Sequence, residues 1–287
     1  MNLQKIRPAL LAGVLAVSLC GCAQEEPVYA PIPTTSWPIQ SVSPLVTPQP
    51  ADPTQMPEAS PSAAPVQTPQ PQKASPGLIA QGAAVEASWF DDAVFVGDSV
   101  SLKLNYYNVK SADLGSAQFL TSGSLGSANA LWDVSDQSVH PSFQGEKMRV
   151  EDAVALCGAK KLYIMLGMND VGLYGAEESA QNLVTLLALI LDQSPDLEVY
   201  VQSVTPMTST STLKSLTNEK ILAYNALVLE ACEQNGWYYV DVASVMTGAD
   251  GCLPREYCSD PDDMGIHFTE TACALWAQYL KTHTAAP

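Results

Sequence analysis

The chain has 287 residues, enough for one large domain with additional segments. It carries 30 acidic and 13 basic residues, which gives a formal net charge of −17. Binding to nucleic acid depends on Lys and Arg side chains that neutralise phosphates, so this balance argues against a nucleic-acid partner. It also disfavours polyanionic substrates, which an acidic surface repels.

Residues 1–21 have the pattern of an export signal. Lys5 and Arg7 form a positive start, and the apolar run that follows is too short to span a bilayer comfortably. The run ends in Leu19-Cys20-Gly21-Cys22, which resembles the lipobox of bacterial lipoproteins. The resemblance implies cleavage before Cys22, a lipid on Cys22, and an extracytoplasmic protein anchored to the cell membrane. An ordinary secretory signal is the alternative.

Residues 22–81 form a predicted disordered linker. Fourteen of the 21 prolines fall between Pro27 and Pro76, among Ala, Ser, Thr and Gln. Such a composition lacks the apolar periodicity needed to bury a core, and proline favours an extended chain. We therefore expect a stalk between the lipid on Cys22 and a globular part.

Residues 82–287 form the predicted folded domain, in which strand patterns alternate with helical patterns. The predicted strands are 93–96, 118–121, 161–166, 197–204 and 237–242, and the predicted helices are 100–107, 150–157, 176–191, 219–233 and 269–282. This alternation predicts an α/β fold with three α/β/α layers and a mostly parallel sheet. Such sheets bind ligands at the carboxyl ends of their strands.

The first candidate functional residue is Ser99, in the segment Ala93-Val-Phe-Val-Gly-Asp-Ser99. The serine follows a buried strand and opens a helix, where free backbone N–H groups and the helix dipole favour a developing oxyanion. A serine needs a base to become a nucleophile. A helix-capping serine is the alternative reading.

Asn169 follows a second strand of the same type, in Leu166-Gly-Met-Asn-Asp170. An asparagine amide donates to a charged oxygen without titrating, which suits an oxyanion hole. An Asx turn that closes the strand is the alternative.

His267 is the candidate base. The chain has three histidines, of which His140 lies in a polar loop and His283 near the C-terminus. His267 lies just before the last predicted helix, in Gly265-Ile-His-Phe268. A histidine in reach of Ser99 would accept its proton and return one to the leaving group.

The three motifs, in this order, resemble the SGNH/GDSL hydrolase family over most of residues 88–285. The resemblance implies a serine hydrolase of ester bonds on an SGNH-hydrolase, flavodoxin-like fold, with no cofactor. It assigns Ser99 as nucleophile and His267 as base. It places the oxyanion at Ser99, Asn169 and the second glycine of Gly123-Ser-Leu-Gly126.

The chain departs from the family at one position. The family has an Asp three residues before the histidine, where this chain has Met264. We expect a bulge to bring Asp263 to His267 as the orienting carboxylate. Asp260, Asp262 or a backbone carbonyl are the alternatives.

The seven cysteines show no spacing typical of a zinc site, so we expect no metal. Cys252 and Cys258 are close enough in sequence for a disulfide in an exported protein, which the pattern leaves open.

These observations predict a cell-surface serine esterase that hydrolyses short, O-acetyl esters on envelope or extracellular carbohydrate through an acyl-enzyme. The carbohydrate substrate follows from the expected location alone. An O-acyltransferase with the same residues and a non-catalytic glycan-binding protein are the alternatives, the second because of the departure at Met264.

Overall fold

The computed structural model describes residues 76–285. The predicted signal at 1–21, the lipidation site Cys22 and the predicted linker up to residue 75 lie outside the described residues. Within residues 76–285, no helix has both the length and the apolar character that crossing a membrane requires.

Strands and helices alternate along the chain as the sequence predicts. The strands are β1 Gly77–Leu78, β2 Ala93–Gly97, β3 Gln118–Thr121, β4 Ser142–Phe143, β5 Glu146–Lys147, β6 Lys161–Met165, β7 Glu198–Gln202 and β8 Tyr238–Val240. The α-helices are α1 Ser99–Ser111, α2 Ser127–Ala130, α3 Val150–Cys157, α4 Val171–Gln193, α5 Asn218–Asn235, α6 Ala243–Met246 and α7 Glu270–Thr282. Two 3₁₀ helices cover Ala87–Phe90 and Arg255–Tyr257.

Six strands form one sheet in the order β1-β8-β7-β6-β2-β3, and all of its neighbours pair in parallel. Helix α4 packs against α3 and α5, and α1 packs against α7. The three-layer α/β/α fold predicted from the alternation of elements is therefore confirmed. The strands β2 and β6 are adjacent, so the loops that follow them meet at the same edge of the sheet.

A row of stacked aromatic rings crosses the sheet at one register position. Ring centroids of consecutive members lie 4.9, 4.8, 4.5 and 5.0 Å apart. The row contains Phe119, Phe95, Tyr163, Tyr200 and Tyr238, one from each of five adjacent strands. Offset stacking of this kind adds to the burial of apolar area, and it fixes the register in which the strands end.

The folded part begins earlier than the predicted boundary at residue 82. Gly77 and Leu78 pair in parallel with Tyr238 and Tyr239 as the edge strand of the sheet. Ile79 continues the pairing through its N–H to the carbonyl of Tyr239 and is buried. The last residues of the predicted linker 22–81 are therefore part of the domain.

Candidate active site

Ser99 is placed by a tight turn between β2 and α1. The Asp98 carboxylate caps the helix by accepting from the Val100 N–H at 2.9 Å, so Ser99 becomes the first helical residue. Gly97 is required because a Cβ there would lie 2.0 Å from the Ser101 Oγ. The first N–H groups of a helix have no partner within it, so the Ser99 N–H is not used by the hydrogen bonds of α1.

The structure brings Ser99 and His267 together across 168 positions of sequence. The Ser99 Oγ lies 2.9 Å from the His267 Nε2, which is hydrogen-bonding distance. The other ring nitrogen, Nδ1, lies 2.7 Å from the Asp260 Oδ2. A hydroxyl group, an imidazole and a carboxylate thus form one connected chain, the arrangement by which a base activates a serine.

The residue that orients His267 is Asp260, and the expectation of Asp263 was wrong. Cys258 and Phe268 form an antiparallel bridge, and the Ser259 N–H donates to the His267 carbonyl. This pairing sets Asp260 opposite the histidine and makes the residues between them a turn.

The other acidic residues of the turn have different partners. Asp262 forms an ion pair with Arg255 at 2.6 Å, and the carbonyl of Asp263 accepts from Thr212. A carboxylate therefore reaches the His267 ring from the base of the turn, and not from its tip beside Met264.

Asp260 is held by four hydrogen bonds. Its Oδ1 accepts from the N–H groups of Ile266 and His267 at 3.2 and 3.0 Å and from the Cys258 thiol at 3.1 Å. Partial burial alone would raise the pKa of Asp260, but the hydrogen bonds from His267 and Cys258 outweigh it and leave the pKa below its ordinary value. Asp260 is therefore ionised at neutral pH.

Asn169 lies at the end of β6, in the turn before α4. Its Nδ2 donates to the Leu125 carbonyl at 3.1 Å, and it lies 3.3 Å from the Asp98 Oδ2. The structure thereby joins Asn169 to the glycine-rich segment and to the turn that carries Ser99. The hydrogen bond to Asp98 is the longer of the two, so the N–H that faces Asp98 is the one more readily redirected to another acceptor.

Gly126 lies next to Asn169, but its N–H has a partner already. It donates to the Asn129 Oδ1 at 2.9 Å, and the Asn129 Nδ2 donates back to the Ser124 carbonyl. The structure therefore places the three predicted oxyanion residues in adjoining turns, but the Gly126 N–H and both N–H groups of the Asn169 amide already have acceptors. Asn129 was not predicted; its position three residues after the glycine, typical of a capping side chain, is the available signal.

Two buried carboxylates, Asp98 and Asp170, stabilise these turns by accepting hydrogen bonds from their backbone N–H groups. Desolvation raises the pKa of Asp98 to about 7, against hydrogen bonds from Val100 and Ser101 that lower it. Asp170 accepts from the N–H groups of Ser127 and Ala128 at 3.0 and 2.9 Å, and burial raises its pKa as well. Its carboxylate fills the space beside Gly126, where an added Cβ would lie 2.5 Å from the Asp170 Oδ1.

Cys252 and Cys258 are both free thiols, so the structure shows no disulfide between them. Among the residues that the structure describes, no three His, Cys, Asp or Glu side chains are grouped so as to hold a metal ion.

The comparisons with known proteins agree with this geometry. Residues 136–275 match the model of the GDSL-like Lipase/Acylhydrolase family, a range that contains Asn169, Asp260 and His267 and begins after Ser99. No curated protein matches the chain.

Solved structures share the fold at low sequence identity. A GDSL-like lipase from Bacteroides thetaiotaomicron is 16% identical, with a TM-score of 0.52 over 71% of this chain and 90% of that chain. A proposed acylhydrolase from Bacteroides fragilis is 16% identical, with a TM-score of 0.52 over 66% and 84%. A proposed platelet activating factor from Streptococcus pneumonia is 20% identical, with a TM-score of 0.51 over 66% and 82%. The family match over residues 136–275 and the shared fold both agree with a GDSL-like lipase/acylhydrolase domain.

Proposed function

We propose that the protein is a cell-surface serine esterase that removes short acyl groups, acetyl foremost, from carbohydrate. The observation that carries the proposal is the continuous contact from Ser99 through His267 to Asp260, at 2.9 and 2.7 Å. A serine with a base in hydrogen-bonding distance, and a base with an ionised partner, are what acyl transfer through a covalent intermediate needs.

In the proposed reaction, the Ser99 Oγ attacks the ester carbonyl while the His267 Nε2 takes its proton. Asp260 accepts from Nδ1, which keeps the imidazole in the tautomer that can act as a base and stabilises the imidazolium that forms. The imidazolium then protonates the leaving alcohol, and the acyl group remains on Ser99. Water, activated by the same nitrogen, releases the acid and restores the serine.

The tetrahedral oxyanion is stabilised by the Ser99 N–H and the Asn169 Nδ2. Removing one donor of this type costs about 10²- to 10³-fold in kcat in other serine hydrolases. The Gly126 N–H becomes a third donor if Asn129 turns its amide away, a movement that also breaks the hydrogen bond from the Asn129 Nδ2 to the Ser124 carbonyl.

The carbohydrate substrate rests on the expected location. A lipid on Cys22 and a proline-rich stalk would hold the domain near the outer face of the membrane, within reach of acylated envelope polymers. The net charge of −17 favours neutral polymers over polyanionic ones as substrates.

The test is hydrolysis of p-nitrophenyl acetate by the wild-type chain and by the variants Ser99→Ala and His267→Ala. Both variants should lose activity by about 10³-fold or more, because the nucleophile and the base act as one unit. Ser88→Ala and His283→Ala are the matched controls, since each removes the same type of side chain outside the site, and they should keep wild-type rates.

The same assay distinguishes the substrate class. Rates on p-nitrophenyl esters should fall as the acyl chain lengthens from acetyl to octanoyl, and an O-acetylated neutral polysaccharide should release acetate. Transfer of the acetyl group to an added sugar in preference to water would show an acyltransferase instead. A folded protein with no turnover on any of these esters would contradict the proposed activity.

A further inference from the structure

A thiol contacts the carboxylate behind the histidine. The Cys258 Sγ lies 3.1 Å from the Asp260 Oδ1, and the cysteine side chain is buried. Cys258 is two residues before Asp260 in the sequence, and the antiparallel bridge from Cys258 to Phe268 holds this segment beside the one that carries His267.

The thiol is the donor in this contact. Burial first, and then the hydrogen bond to Asp260, raise the pKa of Cys258 to about 12, so the sulfur keeps its proton at neutral pH. Asp260 is ionised there and can only accept. Cys258 therefore stabilises the charged carboxylate that faces the imidazole.

We propose that Cys258 is a positioning residue of this site, whose S–H holds part of the negative charge of Asp260 away from His267 and so sets the basicity of the imidazole. The inference rests on the proposed function, in which His267 is the base. The remaining donors to Oδ1 are the backbone N–H groups of Ile266 and His267, which keep the carboxylate in place when the thiol is removed.

Loss of the thiol then has a defined sign. Without it, Asp260 carries more negative charge toward Nδ1, which favours the imidazolium and raises the pKa of His267. Other groups near these residues are Ser99 at Nε2, Asp98 next to that serine in the chain, and the Arg255–Asp262 ion pair in the same turn as Asp260, which also contains Asp263. None of them changes between the variants compared.

The experiment is an NMR titration of the histidine rings in the full chain. With three histidines in the sequence, His140→Gln and His283→Gln variants assign the His267 signals. We expect Cys258→Ala to raise the pKa of His267 by about 0.5, the size of effect that one weak hydrogen bond to a carboxylate produces. Cys258→Ser keeps a donor, and a stronger one, so its value should be equal to or below that of wild type.

Cys232→Ala is the matched control. Cys232 is also a buried thiol, but it lies near the end of α5, which leads into the start of β8, whereas the site lies at the carboxyl ends of the strands. It should leave the titration unchanged. An unchanged or lower pKa in Cys258→Ala, or a higher one in Cys258→Ser, would overturn the proposal; the serine variant decides the question alone if the alanine variant does not fold.

The titration is independent of turnover, so it separates this inference from the proposed function. If the protein hydrolyses esters, the acidic limb of kcat/KM should move to higher pH in Cys258→Ala by the same amount as the NMR value. If no ester is hydrolysed while the pKa of His267 still rises, the proposed function fails and the coupling from Cys258 stands.

Discussion

In the proposed reaction, Asp260 decides whether His267 can act as a base. Its Oδ2 accepts from Nδ1 at 2.7 Å, which leaves Nε2 unprotonated and turned toward the serine. An amide at position 260 can offer an N–H to Nδ1 and so favours the tautomer whose Nε2 already carries a proton.

We therefore expect Asp260→Asn to lower kcat by on the order of 10³-fold or more, with a small effect on KM. Asp263→Asn is the matched control, because its carbonyl, and not its carboxylate, makes the contact with Thr212. It should keep kcat within about 3-fold of wild type. Equal losses in the two variants, measured by p-nitrophenyl acetate hydrolysis, would contradict the assignment of Asp260.

The difference between these two aspartates marks the limit of what the sequence can predict about the site. Ser99, Asn169 and His267 each follow or precede a recognisable element, so local motifs locate them. Asp260 is seven residues from His267, and it reaches the ring only because Cys258 pairs with Phe268. A backbone pairing of this kind has no sequence motif, so the position of the carboxylate relative to the histidine could not be predicted from spacing.

In the turn between β2 and α1, the Asp98 side chain both caps the helix and is buried. Asp98 caps the helix through Val100, yet it is buried and close enough to Asp170 for the two carboxylates to repel each other. The folded state therefore holds a proton on Asp98 with a pKa of about 7, whereas the ordinary value is 3.8.

This difference predicts a pH-dependent stability. Between those two pKa values the folded state binds more protons than the unfolded state, so the free energy of unfolding decreases as the pH rises. The stabilisation from protonated Asp98 is complete below the unfolded value and is lost as the pH approaches the folded one. Asp98→Asn keeps a capping oxygen but cannot titrate, so it should flatten this slope.

The measurement is urea unfolding at about pH 4.5 and about pH 7.5. The wild type should lose on the order of a few kcal/mol of its unfolding free energy across this range, part of which Asp98→Asn should retain. Asp170 is unchanged in both proteins and leaves some residual slope. Asp136→Asn, on an exposed loop, is the control; a slope in Asp98→Asn equal to that of this control would contradict the explanation.

At the level of elements, agreement with the sequence depends on length and periodicity. Helix α3 has the bounds that its apolar spacing predicts, and α7 begins one residue after its predicted start, where Thr269 caps it through the Ala272 N–H. The four-residue helix α2 was not predicted, because its placement depends on the Asp170 carboxylate, which comes more than forty residues later. Short elements held by distant side chains have no periodicity of their own.

At the scale of the whole molecule, one sheet contains both the strands that end at the site and the first residues of the folded domain. The edge strand β1 pairs with β8, so residues near position 77 belong to the same hydrogen-bonded sheet as the strands that end at the site. The sequence pattern does not predict this strand, since it is two residues long and follows a proline-rich segment.

Ile79 tests the earlier boundary. It is 3% exposed, whereas its neighbour Leu78 is 56% exposed. Ile79→Ala should therefore reduce the free energy of unfolding by about 2–4 kcal/mol, and Leu78→Ala by less than about 1 kcal/mol. Chemical denaturation of the full chain gives both values. Two equally small effects would mean that residues 77–81 are linker, as their composition suggested.

Covalent labelling of the serine gives the sharpest result on the proposed catalytic unit. An activated serine reacts with a fluorophosphonate, whereas ordinary surface hydroxyl groups do not. The wild-type chain should gain one adduct, mapped by mass spectrometry to Ser99, and labelling should be lost in His267→Ala and strongly slowed in Asp260→Asn. A folded wild-type protein that gains no adduct at Ser99, or labelling at the same rate in His267→Ala, would contradict the assignment of Ser99 and His267 as nucleophile and base.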